Sequence, residues 1–297
     1  MILSPFEYHA PTTIDEALRL LSDYGDDSRI LAGGQSLIPL LKLNLVEVGH
    51  IVDIKHIPEL SSIGLEADPE GREMLRVGAL TRHSDLERSE IVRKAVPLLA
   101  ETAAGIGHQM VRNRGTIGGS LAHSDPSADL CTASIALDAA INTVSAGGKK
   151  RTVKAGEFFE GPLSNCLSAD ELIESVTFPS TGPGSGHSIK KFTLGTGDFP
   201  IVVVCALATV RDGRLAAIAI SIGGVGGTPL RLKDAEQALL SAASPETPDI
   251  GTITGKAASS LVIEDDPRVS APYKRKLAAT LLRRSVAEAI GKAGGIS

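Results

Sequence analysis

Two short stretches of this 297-residue sequence carry residue types suited to holding phosphate: Ala32-Gly33-Gly34-Gln35-Ser36 and Arg114-Gly115-Thr116-Ile117-Gly118-Gly119-Ser120. Each sets paired glycines ahead of a hydroxyl residue. Glycine accepts positive φ and lets a ligand approach the main chain closely. Successive backbone N–H groups in such a turn form a concave anion site, and Ser or Thr hydroxyls add donors. A hydrogen bond to a charged phosphate oxygen contributes about 1.5–3 kcal/mol net, so roughly five or six of them would hold a pyrophosphate against the cost of binding. Either loop alone reads equally well as a plain turn; two similar loops in one region shift the balance towards a phosphate ligand.

Other chemistries find less support. No G-x-G-x-x-G occurs, so a Rossmann dinucleotide site is not indicated. Gly251-Thr252-Ile253-Thr254-Gly255-Lys256 imitates a P-loop but is one residue short between its glycines, and Ala257 stands where Ser or Thr is needed. Cys131, Cys166 and Cys205 are widely separated and odd in number, unlike a disulfide framework. Three cysteines also fall short of the four thiolates of an ordinary [2Fe–2S] cluster, so such a cluster would have to sit on another chain. His108 and His123 flank the second loop without a third ligand at metal spacing, and His123 reads as a packing residue. No nucleophile elbow accompanies a Ser-His-Asp set.

The elements that must position the loops follow from periodicity. Thr13-Ile14-Asp15-Glu16 is a capping box ahead of a short helix with Ala17, Leu18 and Leu21 on its apolar side. Arg29–Ala32 and Ile51–Ile54 read as strands, with a helix over Leu37–Leu43 between them. Leu75–Leu80 is a strand, and Thr81 or Ser84 opens a helix. Glu90–Ala104 is helical, with a kink or a break at Pro97. Pro126–Ala139 is predicted helical with Asp125 as its cap, Ile141–Ser145 and Arg151–Val153 form a hairpin, and Glu171–Phe178 is a further strand. The Pro-, Gly- and Ser-dense stretch Pro179–Gly186 marks a boundary. Beyond it come strands at Ser188–Leu194, Ile201–Val210 and Leu215–Ile222, with a tight turn at Arg211–Arg214, and helices at Leu230–Leu240 and Pro272–Ala293. The expected organisation is residues 1–179, divided near 56, and residues 187–294.

A net charge of -5, a pI near 5.8, no Trp and 3% aromatic residues give no case for nucleic-acid binding. The longest apolar run, Ile201–Val210, is about half the ~20 residues of a membrane span. Met1–Ala10 has neither the basic nor the apolar part of a signal peptide. A cytoplasmic location is expected.

Residues 32–43 (AGGQSLIPLLKL), 52–54 (VDI), 111–130 (VRNRGTIGGSLAHSDPSADL) and 223–231 (GGVGGTPLR) resemble, in order and over almost the whole chain, the flavin-binding medium subunit of molybdenum hydroxylases. That family includes the medium subunits of carbon monoxide dehydrogenase and the FAD domain of xanthine dehydrogenase. The resemblance implies an α+β chain: a two-subdomain FAD-binding module of the PCMH/VAO type, then a small α+β domain with a three-stranded sheet and helices. It implies that Ala32, Gly33, Gly34, Gln35 and Ser36, with Gly115, Thr116, Ile117, Gly118 and Gly119, wrap the FAD pyrophosphate, and that the Thr116 and Ser120 hydroxyls donate to it. Asp129 matches the family's acidic position beside the adenosine part, and Asp125 lies four residues before it. A carboxylate there suits a ribose hydroxyl, as in other dinucleotide sites; for Asp125 a capping role competes. Lys191 and the Gly197-Asp198 pair match the strand and turn near the isoalloxazine ring, where a lysine would stabilise the anionic reduced flavin. Leu194-Gly195 stand where the family often has a basic pair.

The implied role is electron transfer with no catalytic acid or base on this chain. Electrons pass from a large molybdenum-cofactor subunit through a small [2Fe–2S] subunit to FAD and on to an external acceptor, within a hetero-oligomer. Two alternatives stay open: a stand-alone FAD-dependent oxidoreductase of the same superfamily, which requires titratable groups at the ring, and a flavin-free scaffold subunit, which predicts degraded loops.

Overall fold

The computed structural model describes residues 3–241, 249–263 and 265–294. The chain opens with β1 (Glu7–His9), α1 (Ile14–Tyr24), β2 (Ser28–Leu31), α2 (Leu37–Lys42) and β3 (His50–Asp53). The strands form a parallel sheet in the order β1-β3-β2. The capping box forms with one shift: the Thr13 hydroxyl accepts the Glu16 N–H at 3.2 Å, while the Glu16 carboxylate reaches one residue beyond the cap and accepts the Thr12 N–H at 2.9 Å. Ala17, Leu18 and Leu21 bury the inner side of α1 against Val52, Ile54, Ile57 and Leu60. In open parallel sheets ligands sit beyond the carboxyl ends of the strands, and residues 32–36 leave the carboxyl end of β2.

Next come β4 (Ile63–Ala67), β5 (Glu73–Gly78), α3 (His83–Arg88), α4 (Glu90–Ala95), α5 (Pro97–Ala104), α6 (Gln109–Arg112), α7 (Ile117–His123), α8 (Asp129–Ala136), β6 (Ala140–Ser145), β7 (Lys149–Lys154), α9 (Ala155–Phe158), the small pair β8 (Phe159–Gly161) and β9 (Ser164–Asn165), and β10 (Glu171–Pro179). Pro97 breaks the predicted long helix into α4 and α5. The five long strands form an antiparallel sheet in the order β4-β5-β10-β6-β7, so the last strand in the chain lies at its centre. Leu75, Val77, Ile141, Val176 and Phe178 face a core shared with α3, α4, α5 and α8. The helix expected over Pro126–Ala139 starts three residues late. Asp125 accepts the Ser127 N–H at 2.8 Å and its carbonyl accepts the Ala128 N–H at 3.0 Å. This local turn consumes the groups that would have capped a helix, and Asp129 becomes the first helical residue.

The third region holds β11 (Ser185–Phe192), β12 (Val202–Arg211), β13 (Arg214–Gly223), β14 (Leu230–Arg231), α10 (Lys233–Ser241), α11 (Ile250–Ser260) and α12 (Ala271–Ala293). Its sheet has four antiparallel strands, not the three expected, because the two-residue β14 pairs Leu230 and Arg231 with β13. The helix predicted from Leu230 therefore starts at Lys233. α11 was also not anticipated. Its Gly-, Thr- and Ser-rich sequence hides the helical period, and Asp249 opens it by accepting the Thr252 N–H at 3.0 Å; the P-loop look-alike is this helix. Positive φ at Asp212 and Gly213 makes the β12–β13 connection a tight primed turn.

β12 is apolar from Val202 to Ala208 because both faces are covered there. Val202, Val204, Ala206 and Ala208 pack with Ala278, Leu281, Leu282, Val286 and Ala289 of α12. Cys205 joins the core around α5 and α8, with Ile189 and Leu207 packed against it. Polar ties reinforce this second face. The Ser221 hydroxyl donates to the Thr132 carbonyl at 2.7 Å, and the Gly224 N–H to the Pro126 carbonyl at 2.9 Å. Arg231 donates to the Ile135 carbonyl and to Asp138, both at 2.9 Å, and is bonded to the buried Glu236. Removing one member of a buried ion pair strands the other. Arg231→Ala is expected to cost about 3 kcal/mol, read as a lower urea midpoint, with Arg231→Lys recovering part of it.

Candidate functional site

The two glycine-rich loops, carried by different sheets, meet backbone to backbone. A Cβ on Gly33 would stand 2.2 Å from the Arg114 carbonyl oxygen and 2.9 Å from the Gly115 Cα, and one on Gly119 would lie 3.6 Å from the Ala32 Cβ. No side chain fits at residue 33, and that vacancy lets the loops form one wall. Gly34 takes φ +72°, turning the chain towards α2. Among the described residues, the N–H groups of Gly33, Gly34, Gln35 and Ser36 have no acceptor in the protein. The Gln35 amide instead donates to the Gly33 carbonyl at 3.3 Å. Four successive undischarged donors beside a positive-φ glycine make an anion cradle.

The second loop is built differently from the expectation of two equivalent cradles. Its N–H groups are largely spent inside the protein: Gly115 on Val111 (2.7 Å), Ile117 on Thr81 (3.0 Å), Gly118 on Ala79 (2.9 Å) and Gly119 on the Thr116 hydroxyl oxygen (3.2 Å). A Cβ on Gly118 would meet that of Ala79 at 2.5 Å, so this glycine serves packing. The hydroxyls of this loop are those of the buried Thr116, which accepts from Gly119, and of the half-buried Ser120.

Lys191 and Asp129, expected at different parts of a bound cofactor, face each other. The Lys191 ammonium donates to the Asp129 carboxylate at 2.9 Å and to the Gly105 carbonyl at 2.7 Å. Asp129 is 6% exposed, and burial raises its pKa above the ordinary carboxylate value while the Lys191 charge pulls it down. The pair joins the end of β11 to the start of α8. Beyond Lys191 the chain turns at Gly197 (φ +87°), whose Cα faces the His108 ring; a Cβ there would lie 2.1 Å from it. Asp198 is exposed on this turn. Asp198 and Asp125 both act by charge on Arg268, a residue that no sequence motif marks. Arg268 holds Asp266 through two contacts of 3.1 Å. Its pKa is raised first by Asp266 and then by the charges of Asp198 and Asp125.

His83, also unmarked in the sequence, lies behind the second loop; a Cβ on Gly115 would touch its ring at 2.8 Å. It is 5% exposed, and neither ring nitrogen has a hydrogen-bond partner of good geometry among the described residues. Desolvation pushes its pKa down to about 4, with a smaller opposing influence from the Thr116 backbone. His123 is half-buried, and burial likewise lowers its pKa, against the charge of Asp125.

The sequence model for the FAD-binding domain in molybdopterin dehydrogenase matches residues 4–181, and that for the CO dehydrogenase flavoprotein C-terminal domain matches residues 187–289. The chain belongs to the molybdopterin dehydrogenase flavoprotein family. It is 36% identical to the carbon monoxide dehydrogenase medium chain of Hydrogenophaga pseudoflava over 96% of this chain and 97% of that one. It is 34% identical to subunit alpha of the 6-hydroxypseudooxynicotine dehydrogenase complex of Paenarthrobacter nicotinovorans, over 97% and 95%. Among solved structures, carbon monoxide dehydrogenase from Hydrogenophaga pseudoflava superposes with a TM-score of 0.90 at 35% identity, over 97% of this chain and 98% of that one. Quinoline 2-oxidoreductase from Pseudomonas putida 86 gives 0.90 at 31% identity, over 99% and 100%. In this flavoprotein family the chain is an FAD-binding medium subunit of an oxidoreductase of the molybdenum hydroxylase type. No described helix is long and apolar enough to cross a membrane.

Two outcomes follow from these geometries. A histidine that titrates near 6.5 when unfolded and near 4 when folded binds more protons in the unfolded state across that interval. Its stabilising contribution is therefore complete above about pH 6.5 and lost as pH falls towards 4. Wild type should lose about 3 kcal/mol more than His83→Leu between pH 7 and pH 4 in urea titrations. For the buried pair, Lys191→Met or Asp129→Asn alone should each cost about 3 kcal/mol. The double variant should cost clearly less than their sum, since the pair is in direct contact.

Proposed function

We propose that this chain is the FAD-carrying electron-transfer subunit of a molybdenum hydroxylase complex, placed between a [2Fe–2S] subunit and an external acceptor, with a large molybdenum-cofactor subunit performing the substrate oxidation. The observation that carries the reading is the cradle at residues 33–36: four N–H donors without internal acceptors, facing a second loop with hydroxyls. That arrangement fits the pyrophosphate of a dinucleotide. When bound, FAD supplies the redox chemistry and the protein supplies position and electrostatics.

In this reading Ala32, Gly33, Gly34, Gln35 and Ser36 hold the pyrophosphate. Thr116 and Ser120 donate hydroxyl hydrogen bonds from the facing loop, while Gly115, Ile117, Gly118 and Gly119 set that loop's backbone. Asp129 and Lys191 act as one unit: the Lys191 charge opposes the upward push of burial on the Asp129 carboxyl, and Asp129 fixes the ammonium. Asp198 lies on the turn that His108 supports, and Asp125 enters only through its charge, felt at Arg268. Leu194-Gly195, in place of a basic pair, leave Lys191 as the cation assigned to that edge.

The relatives are named as medium chains or complex subunits, which supports assembly with other subunits. The absence of cysteines able to build a cluster on this chain accords with a separate [2Fe–2S] subunit. The intact glycine loops argue against the flavin-free scaffold, and among the described residues the loops carry no pair of titratable groups that would suit a stand-alone flavoenzyme.

The test is a visible absorption spectrum after incubation with FAD and desalting, followed by dithionite reduction. The wild-type chain should retain a flavin spectrum that bleaches. Gly33→Ala should retain at least tenfold less, because it forces the loops apart. Gly156→Ala, at a position where a Cβ meets nothing within 4 Å, should behave as wild type. A native assembly without flavin, or one with flavin but neither molybdenum nor iron, would overturn the proposal.

A further inference from the structure

The outer edge of the parallel sheet gathers three metal-ligating side chains that the flavin site does not use. Glu7 and His9 lie two residues apart on β1, so strand alternation puts both on one face. β3 runs parallel to β1 with Glu7 opposite His50, which brings a second imidazole to that face. Tyr8, between them, points the other way and donates to Asp53 at 2.6 Å. The result is a compact triad: His9 Nε2 lies 3.1 Å from His50 Nδ1, and a Glu7 carboxylate oxygen lies 3.7 Å from His50 Nδ1 and 4.0 Å from His9 Nε2.

We propose that Glu7, His9 and His50 form a binding site for a divalent transition-metal ion of the zinc class. Metal–nitrogen bonds of about 2.0–2.1 Å put two imidazole nitrogens ~3.0 Å apart at a right angle and ~3.4 Å apart at the tetrahedral angle. The observed 3.1 Å falls between these. The Glu7 oxygen must close in by less than ~1 Å to complete such a face, and its side chain, 72% exposed, is free to do so. Two imidazoles and one carboxylate leave a further position for water, the usual composition of an open zinc site.

The rings are already held. Tyr24 stacks on His50 with centroids 3.5 Å apart and planes 10° apart, and on His9 at 5.2 Å and 27°. Without metal, one facing nitrogen donates its proton to the other. With metal, both facing nitrogens must present lone pairs, so each ring keeps a proton only on the nitrogen that faces away. The ion would tie the three-residue β1 to β3, at the edge of the sheet whose β2 leads into the flavin cradle.

The experiment is calorimetric titration of Zn²⁺ into the full-length, untagged, chelator-stripped chain, repeated with Co²⁺ to record its ligand-field spectrum. One saturable equivalent is expected. Binding should weaken by at least tenfold in His50→Asn, and by about tenfold in Glu7→Gln, whose exposed side chain makes loss of folding an unsuitable explanation. A His9→Asn/His50→Asn variant that keeps its urea midpoint in chelator should take up no equivalent at this site. Failure of the wild-type chain to bind Zn²⁺ saturably would overturn the assignment. So would an affinity and stoichiometry unchanged in Glu7→Gln and in the double variant.

Discussion

Residue 33 has no room for a β-carbon, and the functional architecture rests on that constraint. The carbonyl of Arg114 occupies the space a side chain would need, so a loop from the parallel sheet and a loop from the antiparallel sheet share a wall. The first loop can then leave its N–H groups unpaired because the second supplies the rigidity. That rigidity comes from hydrogen bonds of the second loop to Thr81, Ala79 and Val111, and from the apolar packing of His83 behind it. Unpaired backbone donors are costly when buried; a partly open crevice between two braced loops is where they can be kept.

The third region of the chain contributes by covering. Its four-stranded sheet buries one face under α12 and the other against α5 and α8, so Lys191 and Arg231 reach across to groups of the first 181 residues. Lys191 meets Asp129 and Gly105; Arg231 meets Ile135 and Asp138. The turn after β11 is held against His108 by the same docking. Electrostatics near the site is thus composed jointly: Asp129 belongs to one sheet's helical layer and its counter-ion to another sheet.

Much of this was legible in the residues. The capping box at Thr13, the break at Pro97, the primed turn at Asp212-Gly213 and the two glycine loops are local signals whose chemistry acts over a few residues, and the structure contains each of them. What the sequence concealed depended on distant partners or on weak patterns. β14 is two residues long and exists only because β13 offers an edge. α11 is too rich in Gly, Ser and Thr to show an apolar stripe. Asp125 looked like a helix cap because a carboxylate before Pro is the same signal whether it closes a turn or opens a helix. The pairing of Lys191 with Asp129, 62 residues apart, has no local signature at all, and the difference between the two glycine loops lies in where their N–H groups point. His83 and Arg268 carry no motif; only burial and neighbouring charge bring them forward.

The strand order of the five-stranded sheet also sets a schedule. Its central strand, β10, is the last of the five to be made, with β4-β5 on one side and β6-β7 on the other. Neither flanking pair can complete its hydrogen bonding until residues 171–179 emerge. At about 5–20 residues per second, a β4–β5 hairpin finished at Gly78 waits on the order of 5–20 s on the ribosome for its partner. Over that interval Leu75 and Val77 lack their neighbouring strand, and Ala79, on which the second glycine loop is braced, lacks its hydrogen bond to the Glu174 carbonyl. The wall shared by the two glycine loops is therefore a late product of synthesis, assembled only when the middle of the sheet is inserted between edges already in place.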